Sequence, residues 1–209
     1  LGGKEVLFGR IHVTDTAAVT FPLIEMIGGT KTDQGWGLYC LGDSASIIVG
    51  QTNSTNFPIG SGGVFQSTPR GSYDAFVAKI NNDGTGNYKG SYTGGSDDDI
   101  LVSVRPIIVL GQPVLLCFGT TQSNDLLVRN YNAGSFYSGF NSGGLDMMFL
   151  ICDQDLSFKY YLSYIGGDQN DYLGQTGAPI GSNHVYFNEG DSVVYVGTTT
   201  HSNQTTDRK

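Results

Sequence analysis

The chain has 209 residues, 31 of them glycine, with 39% hydrophobic and only 14% charged side chains, and its net charge is −8. That hydrophobic share supports a packed core and excludes intrinsic disorder, and glycine without a three-residue period excludes collagen. So acidic a chain, with its few Lys and Arg scattered, would be repelled by a phosphate backbone or an anionic membrane surface, and its longest apolar run, residues 107–118, is too short to span a bilayer.

From the N-terminus, Gly2-Gly3-Lys4-Glu5 reads as a turn that delivers an apolar strand beginning at Val6. Met26-Ile27-Gly28-Gly29 follows, with Asp33 five positions after the first glycine. Trp36 and Cys40 lie in the next strand-like run, and Ile48-Val49-Gly50-Gln51-Thr52 ends the unit's last one. The same three segments then recur in the same order. Gly71-Ser72-Tyr73-Asp74 opens a strand over residues 75–80, and Asn82-Asp83-Gly84 marks a turn. A strand over 88–92 runs into Tyr92-Thr93-Gly94-Gly95, with Asp99 in the matching place. Residues 100–109 read as a strand that Pro106 can interrupt, and 113–118 as its partner beyond Gly111-Gln112-Pro113, ending in Cys117-Phe118-Gly119-Thr120-Thr121. A third round comprises Gly143-Gly144-Leu145-Asp146, Tyr164-Ile165-Gly166-Gly167 with Asp171, and Tyr195-Val196-Gly197-Thr198-Thr199.

No segment carries a capped helical period. Three segments repeated in fixed order at a spacing of roughly seventy residues point to tandem duplication. We therefore expect an all-β fold of propeller-like, four-stranded blades in three units: 1–70, the most degenerate; 71–142; and 143–209, cut short. A β-solenoid is the architectural alternative. Propellers need about four to eight blades, so three units require further chain or another copy of this chain to cover their faces. The start at Leu1 and the stop at Lys209 lead us to expect a processed or partial product.

Gly50-Gln51-Thr52-Asn53-Ser54-Thr55-Asn56-Phe57-Pro58, then Gly63-Val64-Phe65-Gln66, then the run from Tyr73 through Asn81, together with Tyr92-Thr93-Gly94-Gly95 and Asp98-Asp99, resembles the SBBP repeat, the β-propeller repeat of bacterial surface proteins. The specific part is the window 45–100. The third unit departs from the pattern, with Thr121-Gln122-Ser123-Asn124 lacking Phe-Pro and Met147-Met148 replacing Ala-Phe, and the first unit departs most. The resemblance implies a secreted or cell-surface propeller, often one module of a larger protein, and no catalytic residues.

Candidate chemistry is sparse. Asp97, Asp98 and Asp99, with Asp168 and Asp171 in the matching loop, form oxygen-rich turns of a kind that can hold calcium. Thr30, Lys31 and Thr32 around Asp33 supply too few ligands, and Asp and Asn also cap turns by bonding nearby backbone, which is the simpler expectation. Trp36, Tyr131, Phe136, Tyr137 and Phe140 are candidates for a glycan- or peptide-binding platform, against a plainer role as loop anchors. Asn53 and Asn203 head glycosylation sequons if the source is eukaryotic. His12, His184 and His201 sit in different parts of the repeat, and no nucleophile motif occurs. Cys40, Cys117 and Cys152 show no metal spacing; buried free thiols are the first expectation, and a disulfide between two of them the second.

No cofactor is expected. The leading functional expectation is a non-enzymatic extracellular structural or adhesive module of a surface assembly or filament, partnered by other copies of the chain or by further blades of its parent. A propeller binding glycan or peptide is the alternative, and a propeller hydrolase or lyase the third reading.

Overall fold

The computed structural model describes residues 2–15, 18–60, 62–83, 85–130, 144–167, 169–173, 185–188, 193–196 and 198–200, and these are all-β, without a helix. Strands β1 (Val6–Asp15) and β2 (Ala18–Ile27) form an antiparallel hairpin. A four-stranded antiparallel meander follows: β3 (Asp33–Leu41), β4 (Ala45–Thr52), β5 (Asp74–Asn81) and β6 (Tyr88–Thr93). The next sheet pairs β7 (Asp99–Val109), β8 (Gln112–Thr121), β10 (Asp146–Asp153) and β11 (Lys159–Ile165) in that order, with β9 (Arg129–Asn130) added outside β11. Beyond it come β12 (Asp171–Leu173) paired with β15 (Thr198–Thr200), and β13 (Val185–Asn188) paired with β14 (Val193–Val196).

The strands expected in the middle unit are present, and Pro106 does not interrupt β7. It pairs with Leu115 on an edge strand, where the missing N–H faces away from the ladder. The meander spans residues 33–93, so the sheets and the sequence units are out of phase. Each four-stranded sheet begins at an aspartate after a Gly-Gly pair, not at the glycine turn that opens the unit.

Alternation along the strands sends side chains to both faces of each sheet, and both faces are apolar. On one face of the meander, Ile48, Phe76, Ala78, Ile80 and Tyr92 pack on Val6, Phe8, Leu23 and Ile27 of the hairpin. On the other, Ile47, Val49, Ala75 and Val77 pack on Leu101, Val104, Leu115, Cys117, Met148 and Leu150 of the second sheet. The far face of that second sheet carries Val102, Val114, Leu116, Phe118 and Met147. The hairpin, the meander and the second sheet thus stack in chain order, with the meander between the other two. Among the described residues they do not close into a ring.

Candidate functional site

Where two successive layers meet, two acids from different strands flank one glycine. Asp74 enters β5, and Asp99 opens β7 of the next sheet; both are buried. A Cβ added to Gly94 would lie 2.6 Å from an oxygen of each. The same arrangement places Glu5 and Asp33 about Gly28, and Asp146 beside Gly166. This explains the repeated Gly-Gly pair: the backbone passes so close to the carboxylates that no side chain fits.

The opening aspartates tie the layers together. The Gly29 amide donates to Asp33 Oδ2 at 2.8 Å, the Gly95 amide to Asp99 Oδ2 at 2.7 Å, and the Gly167 amide to Asp171 Oδ2 at 2.6 Å. The Ser54 hydroxyl donates to Asp33 Oδ2 and the Ser123 hydroxyl to Asp99 Oδ2, each at 2.9 Å, and the Thr52 hydroxyl donates to Asp33 Oδ1. Backbone bonds repeat the link: the amides of Asp33, Asp99 and Asp171 donate to the carbonyls of Lys4, Tyr73 and Leu145. Burial, aided by the neighbouring Asp74 charge, pushes the Asp99 carboxyl up to about 7, against the Thr121 and Ser123 hydroxyls and the Gly95 amide, which favour its ionised form. Burial also raises Asp74, opposed by the Gly71 and Arg70 amides and the Arg70 charge.

The candidate calcium ligands do not converge. Asp99 is turned into the layer junction; Asp98 Oδ1 accepts from the Tyr73 amide at 3.2 Å; Asp97 is exposed, and its amide donates to Ser123 Oγ at 2.9 Å. Asp171 is buried with its Oδ2 on the Gly167 amide, and Asp168 lies outside the described residues. Among the described residues, no group of three or more His, Cys, Asp or Glu is placed to hold a metal ion.

Trp36 occupies a β-bulge of β3, between Gly35 and Gly37, and lines a shallow cleft with Leu7, Leu38 and Ile48. The other members of the expected aromatic platform, Tyr131, Phe136, Tyr137 and Phe140, fall outside the described residues. Asn53 is half-buried, and its Oδ1 accepts from the Thr32 amide at 2.8 Å; Asn203 is outside the described residues. His12 is exposed on β1, and His184 and His201 are not described. Cys117 and Cys152 are buried free thiols as expected, side by side on β8 and β10, and Cys117 raises the Cys152 thiol well above its ordinary value, with burial adding to the effect. Cys40 departs from the expectation. It is a free, exposed thiol in an open cleft that it lines with Gly9, Arg10 and Leu38.

Several partners escape a reading of the repeats that stops at Gly-Thr. Thr-x-Ser recurs as Thr52-Asn53-Ser54 and Thr121-Gln122-Ser123, and its hydroxyls serve the opening aspartates. Tyr92 and Tyr164 hold the loop that follows: the amides of Phe57 and Leu126 donate to their hydroxyls at 3.0 and 2.7 Å. Strand pairing also corrects the third round. Asp171 faces Thr200, where Asp33 faces Thr52 and Asp99 faces Thr121, so one extra residue lies between Val196 and Thr200, and Thr200-His201-Ser202 is the matching triplet.

No protein-family model matches the chain, and no curated protein matches it.

Proposed function

We propose that this chain is a non-enzymatic, extracellular structural or adhesive module of propeller type that serves in a surface assembly. Kinship with the β-propeller repeat of bacterial surface proteins belongs to the same reading. One observation carries it. The polar side chains that recur from round to round face one another at the layer junctions, where the opening aspartates accept hydrogen bonds that tie successive sheets together. Asp33 and Asp99 each accept from a glycine amide and a serine hydroxyl, and both are buried. A catalytic carboxylate needs access to a substrate; Asp33, Asp74 and Asp99 are each at most 1% exposed, although Asp33 and Glu5 line a cleft beside Trp36.

Binding of glycan or peptide is favoured by one placed residue, Trp36, which is 37% exposed beside its cleft. Two measurements separate the readings. Immunogold labelling of intact source cells should mark the outer surface; strictly internal label overturns the structural reading. A glycan array should show no saturable signal; binding that Trp36→Ala abolishes would replace the structural reading with the binding one.

A further inference from the structure

Two of the three cysteines occupy neighbouring strands on one face of the second sheet. Cys117 pairs with Leu150 and Cys152 with Leu115, so the cysteines are diagonal neighbours across β8 and β10. Both belong to the core that the second sheet shares with Val49 and Val77 of the meander, and both are 0% exposed. Their thiols lie within hydrogen-bonding reach of each other.

Diagonal neighbours on paired strands have Cα atoms about 7–8 Å apart, at the outer limit of what a disulfide spans. Two features close that gap. The thiols already face each other. The pairing of β10 with β11 also shifts register between Ile151 and Cys152, so that Ile151 faces Tyr161 while Cys152 faces Lys159. Such an irregularity bends a strand and increases its local twist, and Cys152 stands where the ladder departs from regular pairing. Cys40 is placed differently: it is exposed, and it accepts a hydrogen bond from the Ser46 hydroxyl at 3.5 Å.

We infer that Cys117 and Cys152 are a redox pair, closed to an intrachain disulfide when the chain folds in the presence of a small-molecule disulfide and left as a dithiol when it folds under reducing conditions. Two exchanges make the bridge. One cysteine thiolate attacks the S–S bond of the small molecule, forming a mixed disulfide and releasing one small thiol. The other cysteine attacks the mixed disulfide at the protein sulfur, forming the Cys117–Cys152 bond and releasing the second small thiol. The pair gives up two electrons and two protons, and the small disulfide takes up both. Burial sets the timing. The attacking species is the thiolate, which the folded chain disfavours at Cys152, and neither sulfur is open to solvent. Exchange therefore precedes the packing of the meander on the second sheet, and packing preserves whichever state has formed. The junction keeps a record of the compartment in which the chain folded. This chemistry does not depend on the surface role proposed above: a secreted chain carries the bridge, and one folded in a reducing compartment carries the dithiol.

The test uses the whole 209-residue chain carrying Cys40→Ser, so that only the buried pair is counted. The chain is unfolded in urea and refolded in two glutathione buffers, one reducing and one rich in glutathione disulfide, with refolding followed by circular dichroism. Protein from the reducing buffer should show two free thiols once unfolded again. Protein from the oxidising buffer should show none, and its digest should contain a peptide joining Cys117 to Cys152. The bridge should be at least about thirtyfold more favoured in the folded chain than in urea. Each folded sample, moved to the opposite buffer, should keep its state until urea is added. Glutathione adducts or free thiols after oxidising refolding, an oxidised chain that does not refold, a bridge no more favoured than in urea, or rapid interconversion of the folded samples each overturns the inference.

Discussion

The Tyr92 hydroxyl donates to the Ser54 carbonyl at 2.8 Å, across 38 residues of sequence, and accepts from the Phe57 amide at 3.0 Å. One side chain on the outermost strand of the meander thus satisfies two backbone groups in the loop that carries the Thr-x-Ser hydroxyls. Burial pushes this phenol up to about 12, so it keeps its proton, and both bonds, throughout the ordinary pH range.

Tyr92→Phe leaves the Ser54 carbonyl and the Phe57 amide without that partner in a buried site. An unsatisfied buried group costs about 1–3 kcal/mol. The urea midpoint should fall accordingly, with the slope of the transition unchanged. Tyr164→Phe should act in the same direction through the Leu126 amide. Wild-type midpoints for both variants would show that the loops hold themselves.

Gly94→Ala tests the close approach at the layer junction. Its Cβ would sit 2.6 Å from both Asp74 Oδ1 and Asp99 Oδ2, and overpacking of this kind costs about 1–3 kcal/mol. Gly63→Ala is the control, because a Cβ there meets nothing within 4 Å. Thermal unfolding should separate the two variants clearly; equal melting temperatures would refute the steric account of the repeated Gly-Gly.

Asp99 sets a pH dependence with a definite sign. An aspartate in an unfolded chain titrates near 3.9, and in the fold Asp99 is held up to about 7. The native state therefore binds this proton more tightly. Its contribution to stability is full below about pH 4 and is lost as pH rises through 7. The raised Asp74 acts in the same sense. Asp99→Asn keeps an oxygen for the Gly95 amide and the Ser123 hydroxyl but cannot ionise. Urea titrations at pH 4.5 and 7.5 should show the variant gaining on wild type at the higher pH, by at most about 4 kcal/mol. A difference independent of pH would contradict the burial of a titrating carboxyl.

The thiols divide by exposure. Cys40 is exposed, while Cys117 and Cys152 are buried, the latter with its thiolate form strongly disfavoured. Native protein treated with a maleimide at neutral pH should take up one label per chain, and unfolded protein three. A second label on the native protein would mean that the junction between the first and second four-stranded sheets opens.

Much of the fold is legible in the sequence because its signals are local. Strands declare themselves by apolar runs between turn residues, and duplication declares itself by order. The strand over 75–80 lies within β5, and the strands over 100–109 and 113–118 lie within β7 and β8. The recurring aspartates are equally visible. Their role is not, because Asp99 finds Ser123 only after β7 and β8 pair. Asp97 and Asp98 show the opposite failure: three consecutive acids look like one ligand set, but successive residues point different ways, and only Asp99 turns inward.

What the sequence determined by itself is the strands of the middle round and the recurrence of the aspartates and Gly-Gly pairs, since each depends on neighbours a few residues away. Tertiary structure alone decided which strands share a sheet, where each sheet begins and which apolar face is covered. Val6-Leu7-Phe8 and Ala75-Phe76-Val77 carry the same alternation, yet Leu7 lies bare and Phe76 is enclosed. The difference is made by a layer that stacks from elsewhere in the chain, and burial belongs to a pair of surfaces that no single stretch of sequence contains.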